Sequence, residues 1–234
     1  MMSGFTDIHA HLAYGMDDGA QSQADMEAML DAAHADGVAF LFATPHVTPG
    51  IWPFNEEAYL RHLAHAQSYC QRKGYGITLF EGAEIMYTPA LRQCALEKRV
   101  PTLGNSRNVL LEFTPRISYD ELQDAVALLG RCGYGVILAH VERYRCLCAG
   151  RNAERLKETH DVRYQMNASS IVERQGFLRR RVIWRWLQEG LIDHVATDSH
   201  DCHRRPTNMS RAYQVLCDRV GQAYADRLTG IGGP

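Results

Sequence analysis

No run of about twenty apolar residues occurs in the 234 residues, so no segment reads as a helix that spans a bilayer. An excess of one charge is missing too. Lys and Arg number 25 against 27 Asp and Glu, a formal charge of −2, whereas gripping nucleic acid or an anionic membrane as a main task calls for a basic surface. The opening residues, MMSGFTDIHAH, lack a basic segment followed by an apolar run, so no secretory signal is expected and the cytoplasm is the expected compartment. Cysteine is present but unpatterned: positions 70, 94, 132, 146, 148, 202 and 217 contain no C-x-x-C pair. That argues for reduced thiols over a disulfide framework or a structural zinc site. Internal repeats, low-complexity tracts and linkers are absent as well.

What is present is an ordinary globular composition, 46% hydrophobic and 22% charged, and a length that suits one domain over residues 1–234. Seven β-rich runs succeed one another: FTDIHAH, VAFLFATPH, GITLFEGAEI, NVLLEF, YGVILAH, VRYQMNAS and IDHVATDSH. Helical patterns lie between several of them. From Asp25 to His34, the residues Met26, Met29, Leu30 and Ala33 share one face. In SYDELQDAVALLGRCG, Ser118 and Glu121 have capping-box spacing, and Gly130 or Gly133 stands near the stop. FLRRRVIWRWLQEG predicts a third helix ending at Gly190, with Phe177, Val182, Trp184 and Trp186 in the core and a solvated arginine face. Apolar runs alternating with helices imply right-handed βαβ units and a parallel sheet covered on both faces. Seven such strands in one domain predict an α/β barrel of the TIM type.

Nearly every run ends in a residue that can bind a metal. His9 and His11 end the first, with Asp17 and Asp18 just beyond. His46, Glu84, Glu112 and His140 end the next four, and Asp198 and His200 end the seventh. In a parallel barrel these ends converge on one rim, where active sites of such folds lie. On a strand, residues i and i+2 point the same way, so His9 and His11 can reach one ion together. Imidazole and carboxylate donors suit manganese, iron or zinc. Five histidines and four carboxylates, with one of Asp17 and Asp18 among them, are too many for one ion and fit two or three ions with bridging carboxylates, an arrangement suited to phosphoester hydrolysis. The other histidines, His34, His62, His65, His160, His194 and His203, are expected to be plain solvent-side residues.

In order and spacing, DIHAHLAYGMDDGA, ATPH, GAEI, LLEF, AHVERY and ATDSH followed by RRPTNM resemble the polymerase-and-histidinol-phosphatase (PHP) superfamily. HVERY and DDGA point to its branch of bacterial tyrosine phosphatases of capsule and exopolysaccharide loci, the CpsB type. The resemblance implies a distorted TIM-like (β/α)7 barrel holding three divalent metal ions, manganese first among iron, zinc and magnesium. By position, His9, His11, Glu84 and Asp198 would hold the first ion; Glu84 would bridge to a second with Glu112 and His140; Asp18, His46 and His200 would hold the third. Asp17 would be a neighbour of the ligands. Arg143 and Arg205 match the phosphate clamp, and a guanidinium fork suits two phosphoryl oxygens. Two stretches depart from the pattern: VTPGIW after His46, where the family is often basic, and the ending TGIGGP, which lacks an Asn-Pro segment.

The implied activity is hydrolysis of phosphotyrosine in proteins by a metal-activated hydroxide. The thiolate route is unsupported, because none of the cysteines has an arginine six positions on and Cys146 to Arg151 is one residue short of C-x5-R. The implied partner is a membrane-associated tyrosine autokinase, met without membrane insertion or nucleic acid, and the chain is compatible with an oligomer. Alternatives are a PHP phosphatase of a small metabolite such as histidinol phosphate, a nucleotide exonuclease disfavoured by charge, and a binding module that has lost catalysis.

Overall fold

The computed structural model describes residues 4–51 and 54–233. Trp52 and Pro234, from the two departing stretches, lie outside the described residues. Strands β1 to β5 are Phe5–Ala10, Val38–Ala43, His46–Val47, Thr78–Glu81 and Glu84–Met86. Strands β6 to β9 are Asn108–Glu112, Gly135–Leu138, Val162–Asn167 and His194–Ala196. Helices α1 to α5 are Gln23–Ala35, Glu56–Lys73, Leu91–Leu96, Tyr119–Arg131 and Arg145–Cys148. Helices α6 to α10 are Asn152–Thr159, Ala168–Val172, Phe177–Gln188, Met209–Val220 and Gln222–Leu228, and a 3₁₀ turn covers Val141–Arg143.

Every strand pairing is parallel, in the orders β1-β2-β4 and β3-β5-β6-β7-β8-β9. The two sets form one staggered wall, because β2 runs on into β3 and β4 into β5. The breaks fall at Thr44-Pro45 and Gly82-Ala83. Proline has no N–H for a ladder, and a Cβ on Gly82 would strike Leu103 and Thr44. The outer strands β9 and β1 meet at the parallel bridge Ala10–Ser199. Two bonds join them there: the Asp198 amide donates to the His9 carbonyl at 2.9 Å, and the His11 amide to the Ser199 carbonyl at 2.8 Å. The seven runs expected from the sequence thus form the staves of a distorted barrel, the second and third each split in two. No regular β1–β9 ladder occurs among the described residues.

The barrel interior is narrow and apolar, filled by Ile8, Phe42, Leu103, Leu110, Ile137, Ala139 and Ala196. Larger cores lie between the staves and the helices. Leu122, Ala125, Val126 and Leu129 of α4 and Met26, Met29, Leu30 and Ala33 of α1 face these cores at the expected spacing. The Ser118–Glu121 capping box forms at the start of α4, a device contributing about 1 kcal/mol. Helix α8 differs from expectation. Ile183, Trp186 and Leu187 make its buried face, Val182 and Trp184 are half-buried, and Phe177 stands in solvent. With Phe177 in its first turn, just outside the cores, the buried stripe begins only at the next turn.

Candidate metal centre

Stave order brings the strand ends to one rim. His46 on β3 is directly opposite Glu84 on β5, and Met86 on β5 opposite Glu112 on β6. His140 follows β7 and Asp198 follows β9, both with left-handed backbone, φ 33° and 53°. Non-glycine residues rarely accept this conformation, and it persists where surrounding contacts enforce it. The loop carrying Asp17 and Asp18 folds back over His11, where the Ala20 amide donates to the His11 carbonyl at 3.0 Å. Gly19 permits this approach, since a Cβ there would collide with the His11 carbonyl.

Within the rim, three histidines have one ring nitrogen committed and the other bare. His9 Nδ1 donates to Gln165 Oε1 at 3.1 Å, His11 Nδ1 to Asp17 Oδ2 at 2.7 Å, and His200 Nδ1 to the Asp198 carbonyl at 2.9 Å. The proton on each Nδ1 leaves Nε2 a lone pair. His9 Nε2 and His11 Nε2 then face each other at 3.1 Å. Glu84 Oε2 lies 3.1 and 3.3 Å from the pair, and Asp198 Oδ1 3.4 and 3.5 Å. Four lone-pair donors so close repel unless a cation sits between them. Tetrahedral ligands at about 2.0–2.2 Å from an ion are about 3.3–3.6 Å apart, so the residues present fit a transition-metal ion. Buried Glu84 Oε2, Glu112 Oε2 and His200 Nε2 have no hydrogen-bond partner, which is the state of ligand atoms awaiting a cation.

Two further groupings adjoin the first. Asp18 Oδ1 lies 3.4 Å from both His46 Nε2 and His200 Nε2, with His11 close by. His46 Nδ1 lies 3.1 Å from Glu84 Oε2 and 3.6 Å from Glu112 Oε2. His140 Nε2 reaches the same carboxylates, at 2.8 Å from Glu84 and 3.3 Å from Glu112. All nine residues singled out in the sequence therefore meet on one rim. The grouping differs in one respect, as His46 stands with Glu84 and Glu112 where His140 alone was expected. Arg143 and Arg205 each donate to Asp198 Oδ2, at 2.9 and 2.7 Å.

The electrostatics match this crowding. Burial disfavours the charged His140, but hydrogen bonds to Glu112 and Glu84 outweigh it and raise its pKa to about 9. His11 is likewise raised against burial by Asp17, Asp198 and Glu84. Burial would raise Glu84, yet the surrounding imidazoles of His9, His11, His140 and His46 hold it well below the usual carboxylate range. Burial and repulsion from His11 lower His200 to about 4. Among the cysteines, burial pushes Cys70 up to about 11 and raises Cys146 and Cys148, the opposite of what a thiolate nucleophile needs.

Three residues not foreseen support the ligands. Gln165 Oε1, besides His9, accepts the His140 amide at 2.8 Å. Gln165 Nε2 donates to Asn167 Oδ1 at 2.8 Å, and Asn167 Nδ2 to Asp198 Oδ2 at 2.7 Å. Asp7 accepts the Thr197 amide at 3.0 Å, tying β1 to the β9 end. Asp17, expected as a neighbour, also accepts the His46 amide at 2.9 Å. Period-two spacing could have revealed them, since Asp7 shares a strand face with His9 and His11, and Gln165 shares one with Asn167.

Of the histidines set aside, none joins these groupings. His34 and His203 are exposed, but His62, His65, His160 and His194 are half-buried, against expectation. His62 stacks on Tyr14 at 3.7 Å and His65 bonds Glu27 at 2.8 Å, so tertiary partners draw them in.

A family model described as capsular polysaccharide synthesis, CpsB/CapC, matches residues 5–231. The tyrosine-protein phosphatase CpsB of Streptococcus pneumoniae is 28% identical over 230 residues, with 95% of this chain and 93% of that protein covered. The tyrosine-protein phosphatase YwqE of Bacillus subtilis (strain 168) is 27% identical over 228 residues, covering 95% and 88%. Among solved structures, one reported for YwqE of Bacillus subtilis and CpsB of Streptococcus pneumoniae, described as metal-dependent tyrosine phosphatases, superposes with a TM-score of 0.86. It shares 25% identity and covers 96% of this chain and 91% of that one.

Proposed function

The chain belongs to the CpsB/CapC capsular polysaccharide synthesis family, and from that premise we propose that it is a metal-dependent phosphatase removing phosphate from tyrosine in proteins. The observation carrying this reading is the set of bare Nε2 and carboxylate oxygens converging at 3.1–3.5 Å on His9, His11, Glu84 and Asp198. These four residues would hold one ion, Glu84, Glu112 and His140 a second, and Asp18, His46 and His200 a third, with manganese first among the candidates. Such ions, when bound, bring the pKa of a coordinated water towards neutrality and offset charge on phosphoryl oxygens.

The chain's own residues do the rest. Gln165 and Asp17 fix the tautomers of His9 and His11, so the donor atoms stay aimed inward. Among the described residues, the guanidinium groups of Arg143 and Arg205 hydrogen-bond only to Asp198 Oδ2. The remaining N–H groups of each fork suit two phosphoryl oxygens and the charge that grows on them in the transition state. Asp18, with its side chain 66% exposed, and His46 at 31% mark the open side of the site. A cavity of about 600 Å³ begins there, where Met16, Phe54 and Met86 stand beside His46, Asp18 and Glu112. An aromatic ring carrying the phosphate fits against those apolar side chains. The leaving phenolate has a pKa of about 10, so a strong general acid is not required.

The protein substrate we propose is a membrane-associated tyrosine autokinase of capsule or exopolysaccharide synthesis, met in the cytoplasm. No helix of the described residues is long and apolar enough to cross a membrane. Hydrolysis of a phosphotyrosine peptide and of histidinol phosphate, with manganese and with chelator, tests the reading. Manganese-dependent release from the peptide, lost with chelator and in His9→Ala, is expected. Turnover of histidinol phosphate alone would move the function to a metabolite, and turnover of neither would refute the phosphatase reading.

A further inference from the structure

The first turn of α8 breaks the local rules that start a helix. No side chain caps its amides and no acidic residue stands in its first turn. Arg179, Arg180 and Arg181 instead crowd the positive end of the helix dipole, where cations are disfavoured. Phe177 and Leu178 are 80% and 77% exposed, although the same helix has a buried face further along. Arg174 is exposed too, and residues 173–181, ERQGFLRRR, carry four arginines against Glu173, a local charge of +3 in a chain of −2. Local rules fail together in this way at functional surfaces more than elsewhere.

The place of this turn gives it meaning. β8 ends on the ligand rim at Asn167, which bonds Asp198. Helix α7 and a short loop then lead to Phe177. Helix α8 packs against the 3₁₀ turn that carries Arg143. The exposed apolar pair and the arginines therefore stand at the start of the helix that packs on the Arg143 turn, one short connection beyond the rim end of β8.

We propose that this patch docks the polypeptide on either side of the phosphotyrosine and selects substrates with acidic residues near it. This rests on the phosphatase reading above. An extended segment covers about 3.3 Å per residue, so the residues flanking the phosphotyrosine each reach outward from the rim by about that much. Their carboxylates meet the arginines and the positive helix end, and an apolar side chain among them packs on Phe177 and Leu178. An anionic bilayer is the weaker match, because the chain's net charge opposes its approach to such a surface.

The test uses the manganese-loaded protein and the variant R179E/R180E/R181E. Each is given a phosphotyrosine peptide with Asp and Glu flanks, the same peptide with Lys flanks, and para-nitrophenyl phosphate, which is too small to reach the patch. The native protein is expected to prefer the acidic peptide about tenfold in kcat/KM at low salt, the preference shrinking with added salt. The variant loses or inverts that preference and hydrolyses para-nitrophenyl phosphate at the native rate. Glu at a helix start suits the dipole, so its thermal midpoint should equal or exceed the native one. Phe177→Ser with Leu178→Ser should raise KM for both peptides without changing the charge preference. Native kinetics indifferent to flanking charge, or a preference untouched in the variant, overturns the docking proposal and leaves the phosphatase reading intact. Failure to hydrolyse para-nitrophenyl phosphate at all overturns the phosphatase reading. Binding to phosphatidylglycerol vesicles that disappears in the variant, with the peptide preference unchanged, overturns the proposal in favour of a membrane.

Discussion

His140 follows β7 at the ligand rim, and His194 opens β9 at the other end of the barrel. Burial disfavours the imidazolium at both. At His140 the carboxylates of Glu112 and Glu84 overcome that penalty and raise the pKa to about 9. At His194 burial prevails, with Arg163 and Lys157 adding repulsion against a single favourable Asp193, and the pKa falls to about 4. His194 borders a cavity with Ile8, Phe42, Leu103 and Ile137, whereas His140 borders a field of carboxylates. The residue is the same; the surroundings decide whether a cation is welcome. The rim surrounds His140 with carboxylates, while burial and neighbouring cations leave His194 neutral.

The largest expected effect separates the two ends outright. Glu84→Gln should lower kcat on the order of 10³ and empty the metal site, while His194→Leu should leave turnover within about twofold. Steady-state kinetics with elemental analysis checks both. Arg143→Ala should lower kcat about 10²-fold at unchanged metal content, and Arg143→Lys should restore little, because a point charge does not replace the fork. Loss of metal in that variant would show that Arg143 acts through Asp198. Gln165→Leu, next in size, should weaken metal affinity about 10- to 100-fold without unfolding the chain, as measured by competition with a chelating dye.

The smallest effect is on pH dependence in metal-free protein, and the two ends run oppositely. His140 is raised on folding, so its pairing stabilises the fold fully below about pH 6.5 and the contribution fades as pH rises through about 9. His194 is lowered on folding, so its contribution is present above about pH 6.5 and is lost as pH falls towards about 4. Denaturant midpoints of the chelated native protein, His140→Gln and His194→Gln across this range separate the two slopes. A native slope unchanged by either substitution would break the comparison.

Much of the ligand rim was legible because strand period and chain order suffice to find strand ends. His9 and His11 betray a shared face by spacing alone, and parallel connection puts distant ends together. The helices with a continuous apolar stripe, α1 and α4, were equally readable. Helix α2 was not, since over eighteen residues only Tyr59, Ala66 and Cys70 are buried, too few for a periodic signal. The splitting of the second and third staves is not legible either. Pro45 and Gly82 interrupt apolar runs that otherwise read as continuous. Gln165 and Asn167 are not legible as site residues, because neutral amides in a strand carry no chemical signature without a histidine and an aspartate beside them. The exposure of Phe177 is a tertiary fact, as its helix has an apolar face that begins only one turn later.

Phosphate release is expected to depend on ions held by the rim ligands. Measuring metal content per chain and phosphotyrosine hydrolysis together, before and after chelation and after manganese is returned, tests it most directly. More than one ion per chain is expected in the native protein, with activity lost with the metal and regained with it, and neither in Glu84→Gln. Undiminished hydrolysis by a chain freed of metal would contradict it.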